Sequence, residues 1–487
     1  MKTGESRPGN PITRPGNPTN KKKTCHMRRK NKTIRIPGII SCCMMMIPYI
    51  VSAQNPVLDQ YISEGIRSNL GLKQKKLDYA TNLAALKGAR GLFFPEVSIQ
   101  ARYTVARGGR IISLPVGDLL NPVYSTLNLL TASDLFPQIE NEEFRFYRLH
   151  EHETKISVLQ PIFNAEIIHN YRIRKKQAEI AGIDINRYMR ELVEEITRAY
   201  YDYQKAFNLV RLADTTLLLV RENLRVSRRL FENDKVTIDA VYRSESELSK
   251  VEAEQARANN LLKSSQAYFN FLLNRSMDAP VELVEEVPEP VLLSLEEARL
   301  LALGHREELR QMEQYRQLNQ QVVALHRGKN LPGLFGSFDY GFQGEEYSFT
   351  GEDDFLLASL VMRWELFQGA ANRQKVQQAR IEGEKLKELQ AETRKQILLE
   401  VINNYYALQA AYESVQAALK QKRSAARAYK LIRRKYTEGT SPLLELIDAR
   451  TSMTTASANL IIARSDYFSR LAEFQSATGI IRIHNDS

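Results

Sequence analysis

Apolar residues along the chain follow two alternating rhythms. From Leu58 to about Lys87 they recur every three or four residues, which predicts a helix ended by Gly88, Gly91 and Pro95. Val97, Ile99, Ala101, Tyr103 and Val105 then alternate with Ser98, Gln100, Arg102 and Thr104, a period of two that predicts a strand with one polar side. Residues 107–150 carry Gly108, Gly109, Pro115, Pro122 and Pro137 without a rhythm, which predicts a long loop. A second strand follows over roughly 154–163, with Ile156, Val158 and Ile162 on one face. Helical rhythm then runs from about Ala165 to Leu230. At 1.5 Å per residue this is about 100 Å of helix, which needs partners along its whole length. Asn233, Asp234 and Lys235 break it, and another helix is predicted from Ile238 to Asn274.

After a proline-rich linker from Met277 to Pro290 the scheme restarts. A helix begins at Leu295 and breaks at Pro332 and Gly333. A strand follows with Leu334, Phe338, Tyr340 and Phe342 on one face, then a Gly-rich acidic turn from Gly344 to Asp354. The next strand places Leu356, Ala358, Leu360, Met362 and Trp364 on one face. Trp364 opens W-E-L-F-Q-G-A, a strand turning into a helix; Glu438 to Pro442 divide that long helix from a last one ending near Gly479.

Two registers relate the halves. At an offset of 237, Leu58 matches Leu295, Leu72 matches Leu309, Gln74 matches Gln311 and Pro95 matches Pro332. At 205, Tyr200-Tyr201 matches Tyr405-Tyr406, Phe231 matches Tyr436 and Phe269 matches Phe474. The extra residues of the first half fall in the 107–150 segment. The long helices carry apolar seams at three- and four-residue spacing, as in coiled coils: Leu192, Ile196, Tyr200, Tyr203, Phe207, Val210, and Ile397, Val401, Tyr405, Leu408, Tyr412, Val415, Leu419. The expected class is mainly α with β, a duplicated helix-strand-strand-helix-helix unit. Repeats span 54–277 and 294–480, a linker spans 278–293, and 481–487 form a tail.

Each chain thus offers four strands of about 10 residues, the length that crosses a bilayer at barrel tilt. Four strands cannot close a barrel, and an open edge in lipid leaves backbone groups unpaired. Membrane-embedded strands of this kind require oligomerisation, although the number of copies does not follow from the physics.

The net charge of +11 points to nucleic acid until its distribution is read. Residues 1–53 hold eleven Lys/Arg and one acid, Glu5, and the remainder has 57 basic and 56 acidic residues. The nucleic-acid reading loses its support. The same leader fits a secretory signal over 27–53: a basic region from Arg28 to Arg35, an apolar run from Ile36 to Val51, and small residues Val51-Ser52-Ala53 before Gln54. Residues 1–26 fit no part of a signal, so translation starts at Met27, or residues 1–26 are a disordered extension. All three cysteines, Cys25, Cys42 and Cys43, lie in the leader. Cleavage after Ala53 leaves a chain without thiol or disulfide chemistry, whereas Ile39-Ile40-Ser41-Cys42 also resembles a lipid-attachment box at Cys42.

The duplicated plan resembles the TolC-like outer-membrane efflux proteins, the outer-membrane factors of tripartite exporters. The resemblance covers nearly all of residues 56–480. It rests also on the strand-to-helix entries Gln160-Pro161-Ile162-Phe163 and Glu365-Leu366-Phe367-Gln368-Gly369, and on the segment from Tyr436 to Ala449. That segment is similar to the family's Y-x-x-G-x-x-[ST]-x-x-[DE]-[VL]-x-[DE]-A, with Pro442 replacing the hydroxyl residue. The resemblance implies a homotrimer with a 12-stranded outer-membrane β-barrel, set in lipid and continued by a long periplasmic α-helical barrel. It implies a passive exit duct for efflux or type I secretion, docked on a periplasmic adaptor and an inner-membrane pump. The implied docking tips are Asp234, Lys235, Val236, Thr237 and Ile238 in the first half, and Gly439, Thr440, Ser441, Pro442 and Leu443 in the second. Glu445 and Asp448 map onto the family's acidic pore constriction, and three-residue spacing puts them on one helical face. Alone, that spacing fits a solvated face better. Ala240 matches Glu445 in the first repeat, so the acidic partner that some family members use there is missing, although Asp239 is adjacent.

Other signals carry less. His150-Glu151-His152-Glu153 could chelate a metal but lacks a third ligand group at recognisable spacing, and reads as a solvated loop. No phosphate-binding loop or nucleophile–base cluster is present, so neither an enzyme nor a cofactor is expected. Trp364 and Tyr103 fit interfacial aromatics or ordinary strand packing. An envelope coiled-coil scaffold without a pore is the alternative, but has no use for the alternating strands.

Overall fold

In the computed structural model, residues 55–480 are described. The expected signal segment, with its alternative readings of cleavage after Ala53 or lipid attachment at Cys42, and the tail from 481 lie outside these residues. The first predicted helix is two, α1 (Pro56–Ser68) and α2 (Leu70–Gly91), divided at Asn69. Asn55 caps α1 by accepting from the Leu58 amide at 3.0 Å, and Asn69 caps α2 through the Leu72 amide at 2.9 Å. Gly88 does not end α2, which continues to Gly91. After β1 (Glu96–Val105) the segment expected to be a loop holds regular structure: β2 (Ile111–Leu114), α3 (Val116–Thr131) and β3 (Glu142–Arg145), with β2 and β3 paired antiparallel. Pro122 masks this helix in the sequence. Side chains fix it instead: Asn121 exchanges two hydrogen bonds with the Ile139 backbone, and Asn128 two with Phe136.

β4 (His150–Phe163) starts earlier than expected, so His150 to Glu153 are strand and not loop. α4 (Ala165–Glu232) has 68 residues, capped by Asn164, and α5 (Ile238–Leu272) returns beside it. Residues 273–294 contain no helix or strand. α6 (Leu295–His305) starts in a Ser294/Glu297 capping box, and Arg306 separates it from α7 (Glu307–Gly328). β5 (Gly333–Gly344), β6 (Asp354–Arg363), α8 (Ala371–Thr437) and α9 (Leu443–Thr478) complete the chain, which is mainly helical with some strands.

β1, β4, β5 and β6 form one antiparallel sheet in the order β1-β4-β5-β6, so β1 and β6 are its edges. The register shifts between Pro161 and Phe163, where proline has no amide to give the ladder. Towards the sheet, helices neighbour one another as α2, α4, α7, α8; towards the far end, as α5, α4, α9, α8. α8 is therefore an edge helix throughout.

Boundaries recur at the offsets read from the sequence. Gly91 and Gly328 end α2 and α7, and Glu96 and Gly333 begin β1 and β5, 237 residues apart. Ile238 and Leu443 begin α5 and α9, 205 apart. Geometry recurs too: Tyr200 meets Phe269 at 6.0 Å and 55°, and Tyr405 meets Phe474 at 6.1 Å and 55°. At the two breaks, Asn69 donates to the Leu272 carbonyl at 2.9 Å, and Arg306 to that of Ala477 at 3.2 Å.

The core lies where α4, α8 and the ends of α5 and α9 meet α1 and α6. Most of the expected seam is buried, including Ile196, Tyr200 and Val401, but Phe207 is exposed. The segment 273–294 is tied to the core rather than free. Tyr200 Oη accepts from the Val284 amide at 3.0 Å, Tyr201 Oη donates to Glu286 at 2.7 Å, and Tyr467 Oη donates to the Glu289 carbonyl.

Candidate functional site

The four-stranded sheet has two chemically different faces. Ladder partners share a face, so Ile99, Ile156, Tyr340 and Leu356 line up across it, as do Val97, Val158, Phe338 and Ala358. Several of these apolar side chains remain exposed, Ile99 at 76% and Leu356 at 64%. The opposite face is charged on β1, β4 and β5, whereas β6 sets Phe355, Leu357 and Val361 there. Glu153 bridges Arg102 and Lys155, both at 2.9 Å, and Lys155 reaches Asp339 at 3.3 Å. Ser157 donates to Asp339, and Gln343 to Glu151 at 2.8 Å. An apolar outside and a satisfied polar inside are the arrangement of a barrel wall with lipid on one side and water on the other. Alternation also dismantles the metal candidate: His150 and His152 point to one face, Glu151 and Glu153 to the other. Among the described residues no metal-holding group occurs.

Aromatic residues stand at both ends of the sheet. Tyr103 meets His150 Nδ1 at 3.1 Å near the turn end, and Trp364 donates to the Asn330 carbonyl at 3.0 Å where the strands enter the helices.

At the far end, both helical hairpins turn in the same way. Asp234 and Gly439 each take a left-handed conformation, φ 55° and 75°. The following amides, of Lys235 and Thr440, reach back to the Leu230 and Lys435 carbonyls at 2.8 and 2.9 Å, satisfying helix-end acceptors. Glycine adopts this conformation freely, and aspartate is one of the few residues that tolerate it. Val236, Ile238, Ser441, Pro442 and Leu443 complete the tips; Leu443 is buried, and Thr237 starts α5 with its hydroxyl on Asp239.

Glu445 and Asp448 lie on the exposed side of the first turns of α9, opposite buried Leu446 and Arg450. Ser441 Oγ donates to Glu445 at 2.5 Å, which ties that carboxylate to the turn; Asp448 has no ion-pair partner among the described residues. Behind them the hairpins are joined. Tyr436 Oη meets Ser227 Oγ at 2.9 Å, Ser244 Oγ donates to Ser227 at 3.0 Å, and buried Arg450 pairs with Glu247 of α5. Ala240, Tyr429, Tyr436, Leu443 and Leu446 form a small apolar core around this link.

Residues 300–480 match the family model described as "Outer membrane efflux protein". The alkaline protease secretion protein AprF of Pseudomonas aeruginosa is 22% identical over 370 residues, covering 74% of this chain and 76% of AprF. The fold is similar to the CmeC outer membrane channel of Campylobacter jejuni, with TM-score 0.72 and 13% identity over 87% of this chain and 85% of CmeC. It is also similar to the outer membrane protein VceC of Vibrio cholerae, with TM-score 0.69 and 14% identity over 87% and 96%. The family match spans the second half of the chain, and the likeness to these channels is one of fold. Among the described residues no helix is long and apolar enough to cross a membrane.

The sequence reading missed a buried charge node. Arg190 of α4 bonds Glu307 at 2.9 Å, Glu308 at 2.6 Å and the Ser476 hydroxyl at 3.0 Å. Arg306 bonds both oxygens of Glu308 at 2.9 Å and both of Glu400, at 3.0 and 3.1 Å. The node ties α4, α7 and α8 to the carbonyl end of α9, where cations also oppose the helix dipole. Burial pushes the Glu308 carboxyl up, but the Arg306 hydrogen bonds and the two guanidinium charges outweigh it and hold it below its usual value. Glu286, under the 273–294 segment, is raised by burial against the bonds from Tyr201 and Asn55. No local motif announces such a node, because its members are brought together from four separate stretches of chain.

Proposed function

We propose that the chain is the exit duct of a tripartite exporter, for efflux or type I secretion, and that it works as a homotrimer. The two-faced sheet with unpaired edges β1 and β6 carries this reading. Its apolar face fits lipid, its charged face fits water, and neither edge can remain open in a bilayer. Edges on both flanks, β1, α2 and α5 against β6 and α8, make a heterologous contact that closes into a ring. Three copies give twelve strands. The recurring boundaries and aromatic geometry support a duplicated unit as the origin of each subunit's curved wall.

In this reading the hairpin tips, Asp234 to Ile238 and Gly439 to Leu443, dock on a periplasmic adaptor coupled to an inner-membrane pump. Glu445 and Asp448 form two rings of three carboxylates at the periplasmic mouth, which favour cations and narrow the passage. The link of Tyr436, Ser227 and Ser244 with the Arg450–Glu247 pair holds the two hairpins of a subunit together in the closed form. The duct is passive; energy comes from the pump. A scaffold without a pore is disfavoured by the same sheet, whose exposed apolar face has no role in water.

Conductance after reconstitution of the purified, detergent-extracted protein tests the reading. Cation-selective conductance that loses selectivity in the Glu445→Ala/Asp448→Ala variant is expected. A detergent-free soluble monomer sinks the duct. Unchanged selectivity in the variant sinks the gate assignment alone.

A further inference from the structure

The packed seams of α8 and α9 lose their apolar character between the main core and the tips. Arg464 of α9 stands four residues after Leu460 and four before Phe468, both buried. It therefore lies on the helical face that packs into the wall. Lys422 of α8 stands four residues after Ala418 and seven before Tyr429, again in line with buried positions. Val415 and Leu460 belong to the main core, and Tyr429, Tyr436 and Leu446 to the small core at the tips. Between these two cores lies a cavity of about 360 Å³, at the low end of the range for small-molecule sites.

Four cations line it: Lys205 and Arg211 of α4, Lys422 of α8 and Arg464 of α9. Lys205 pairs with Asp202 of its own helix at 2.5 Å. The other three have no ion-pair partner among the described residues. Arg464 Nε is buried and bonds nothing. Its stem can lie along Leu460 and Phe468 with the head in water, but that leaves the Nε hydrogen inside without an acceptor. The acids of the cavity do not answer this charge. Glu286 is held by Asn55 at 2.6 Å and Tyr201 at 2.7 Å, and Glu285 is exposed and pairs with none of the four.

We propose that this cavity is an anion site for a dianionic phosphate, free or carried on a small polar body. Three observations select this ligand. Cations without partners on a packed seam call for an anion. The guanidinium groups of Arg211 and Arg464 offer forks that match phosphate oxygens. The volume suits a small molecule. A neighbouring copy is not placed to fill it. Helices follow one another as α5, α4, α9, α8 here, so ring closure engages the flanks α5 and α8, whereas the cavity lies on the inner pair α4 and α9 beside Glu285 and Glu286. The inference does not rest on the duct reading.

The probes are inorganic phosphate and glycerol phosphate, with glycerol and sodium chloride as controls at constant ionic strength. Calorimetric binding and thermal unfolding of the detergent-extracted full chain are the readouts. At least one phosphate probe is expected to bind and to raise the unfolding temperature saturably, and neither control to do so. Saturation by inorganic phosphate assigns the free anion, and saturation by the ester alone assigns a carried phosphate. Arg464→Gln is expected to weaken binding at least about ten-fold. Without phosphate the same variant is expected to unfold at an unchanged or higher temperature, because an unpaired charge has left the seam. Arg464→Lys keeps the charge but loses the fork, and is expected to recover only part of the binding. If Arg464→Gln does not fold, Arg211→Gln/Lys422→Gln, which alters exposed side chains only, is expected to weaken binding at least about ten-fold.

No binding of either probe up to about 10 mM, a response matched by sodium chloride, or binding that survives these variants overturns the proposal. Altered ion selectivity of the reconstituted Arg464→Gln protein without phosphate binding to the unaltered chain also overturns it, and assigns these cations to the passage.

Discussion

Gly439 and Asp234 occupy equivalent turns with different chemistry. A Cβ at Gly439 meets nothing within 4 Å, so only the left-handed backbone penalises a side chain there. Gly439→Ala is expected to lower stability by about 1–2 kcal/mol, and Asp234→Gly to change it by less than about 0.5 kcal/mol, in chemical unfolding of the extracted protein. Titration separates two other carboxylates. Glu308 sits below its ordinary value of 4.5 when folded, so the stability it lends is complete above that value and lost as pH falls through the folded one. Glu286 is raised, so its contribution is fullest below 4.5 and lost as pH rises through the folded value. Glu308→Gln is expected to flatten the acid limb of a melting-temperature profile, and Glu286→Gln the limb just above 4.5. Glu445 and Asp448 were identifiable as residues from their spacing and the Tyr436 to Ala449 pattern. The Ser441 bond to Glu445 was not, because it depends on how Pro442 turns the chain into α9.

Helices and strands were legible where one apolar face repeats over many residues, as in α4, α8, β1 and β6. They were misread where tertiary bonds override local signals. Asn121 and Asn128 hold α3 together despite Pro122, and Asn69 and Arg306 divide apparently continuous helices because each serves the end of a returning helix. The link between the hairpins belongs to this scale as well. Tyr436 on α8 shares its hydroxyl with Ser227 on α4, and Arg450 on α9 shares its charge with Glu247 on α5. Removing that hydroxyl costs one buried hydrogen bond, about 1 kcal/mol, and frees the hairpins to part. Tyr436→Phe is expected to raise the open probability of the reconstituted channel several-fold, more so when combined with Glu247→Gln; unchanged gating in the double variant removes the link from the gate.

At the scale of the whole molecule the sheet asks for copies of itself. The only cysteines are Cys25, Cys42 and Cys43, so the described residues give a clean background for cross-linking. Gln100→Cys on β1, paired in turn with Leu357→Cys, Ser359→Cys and Val361→Cys on β6, is expected to yield a covalent ladder ending at the trimer for the pair in register. A ladder that stops at the dimer, or none in any pair, rejects ring closure through these edges. The sequence by itself determined the two rhythms, the two offsets and the family pattern at the tip, because each is a local or periodic property of neighbouring residues. Tertiary structure alone decided the charge node of Arg190 and Arg306, the fate of the 107–150 segment and the opposition of lipid-like and polar faces across β1, β4 and β5. Those depend on which distant stretches meet, and on side-chain hydrogen bonds whose strength exists only once burial has removed competing water.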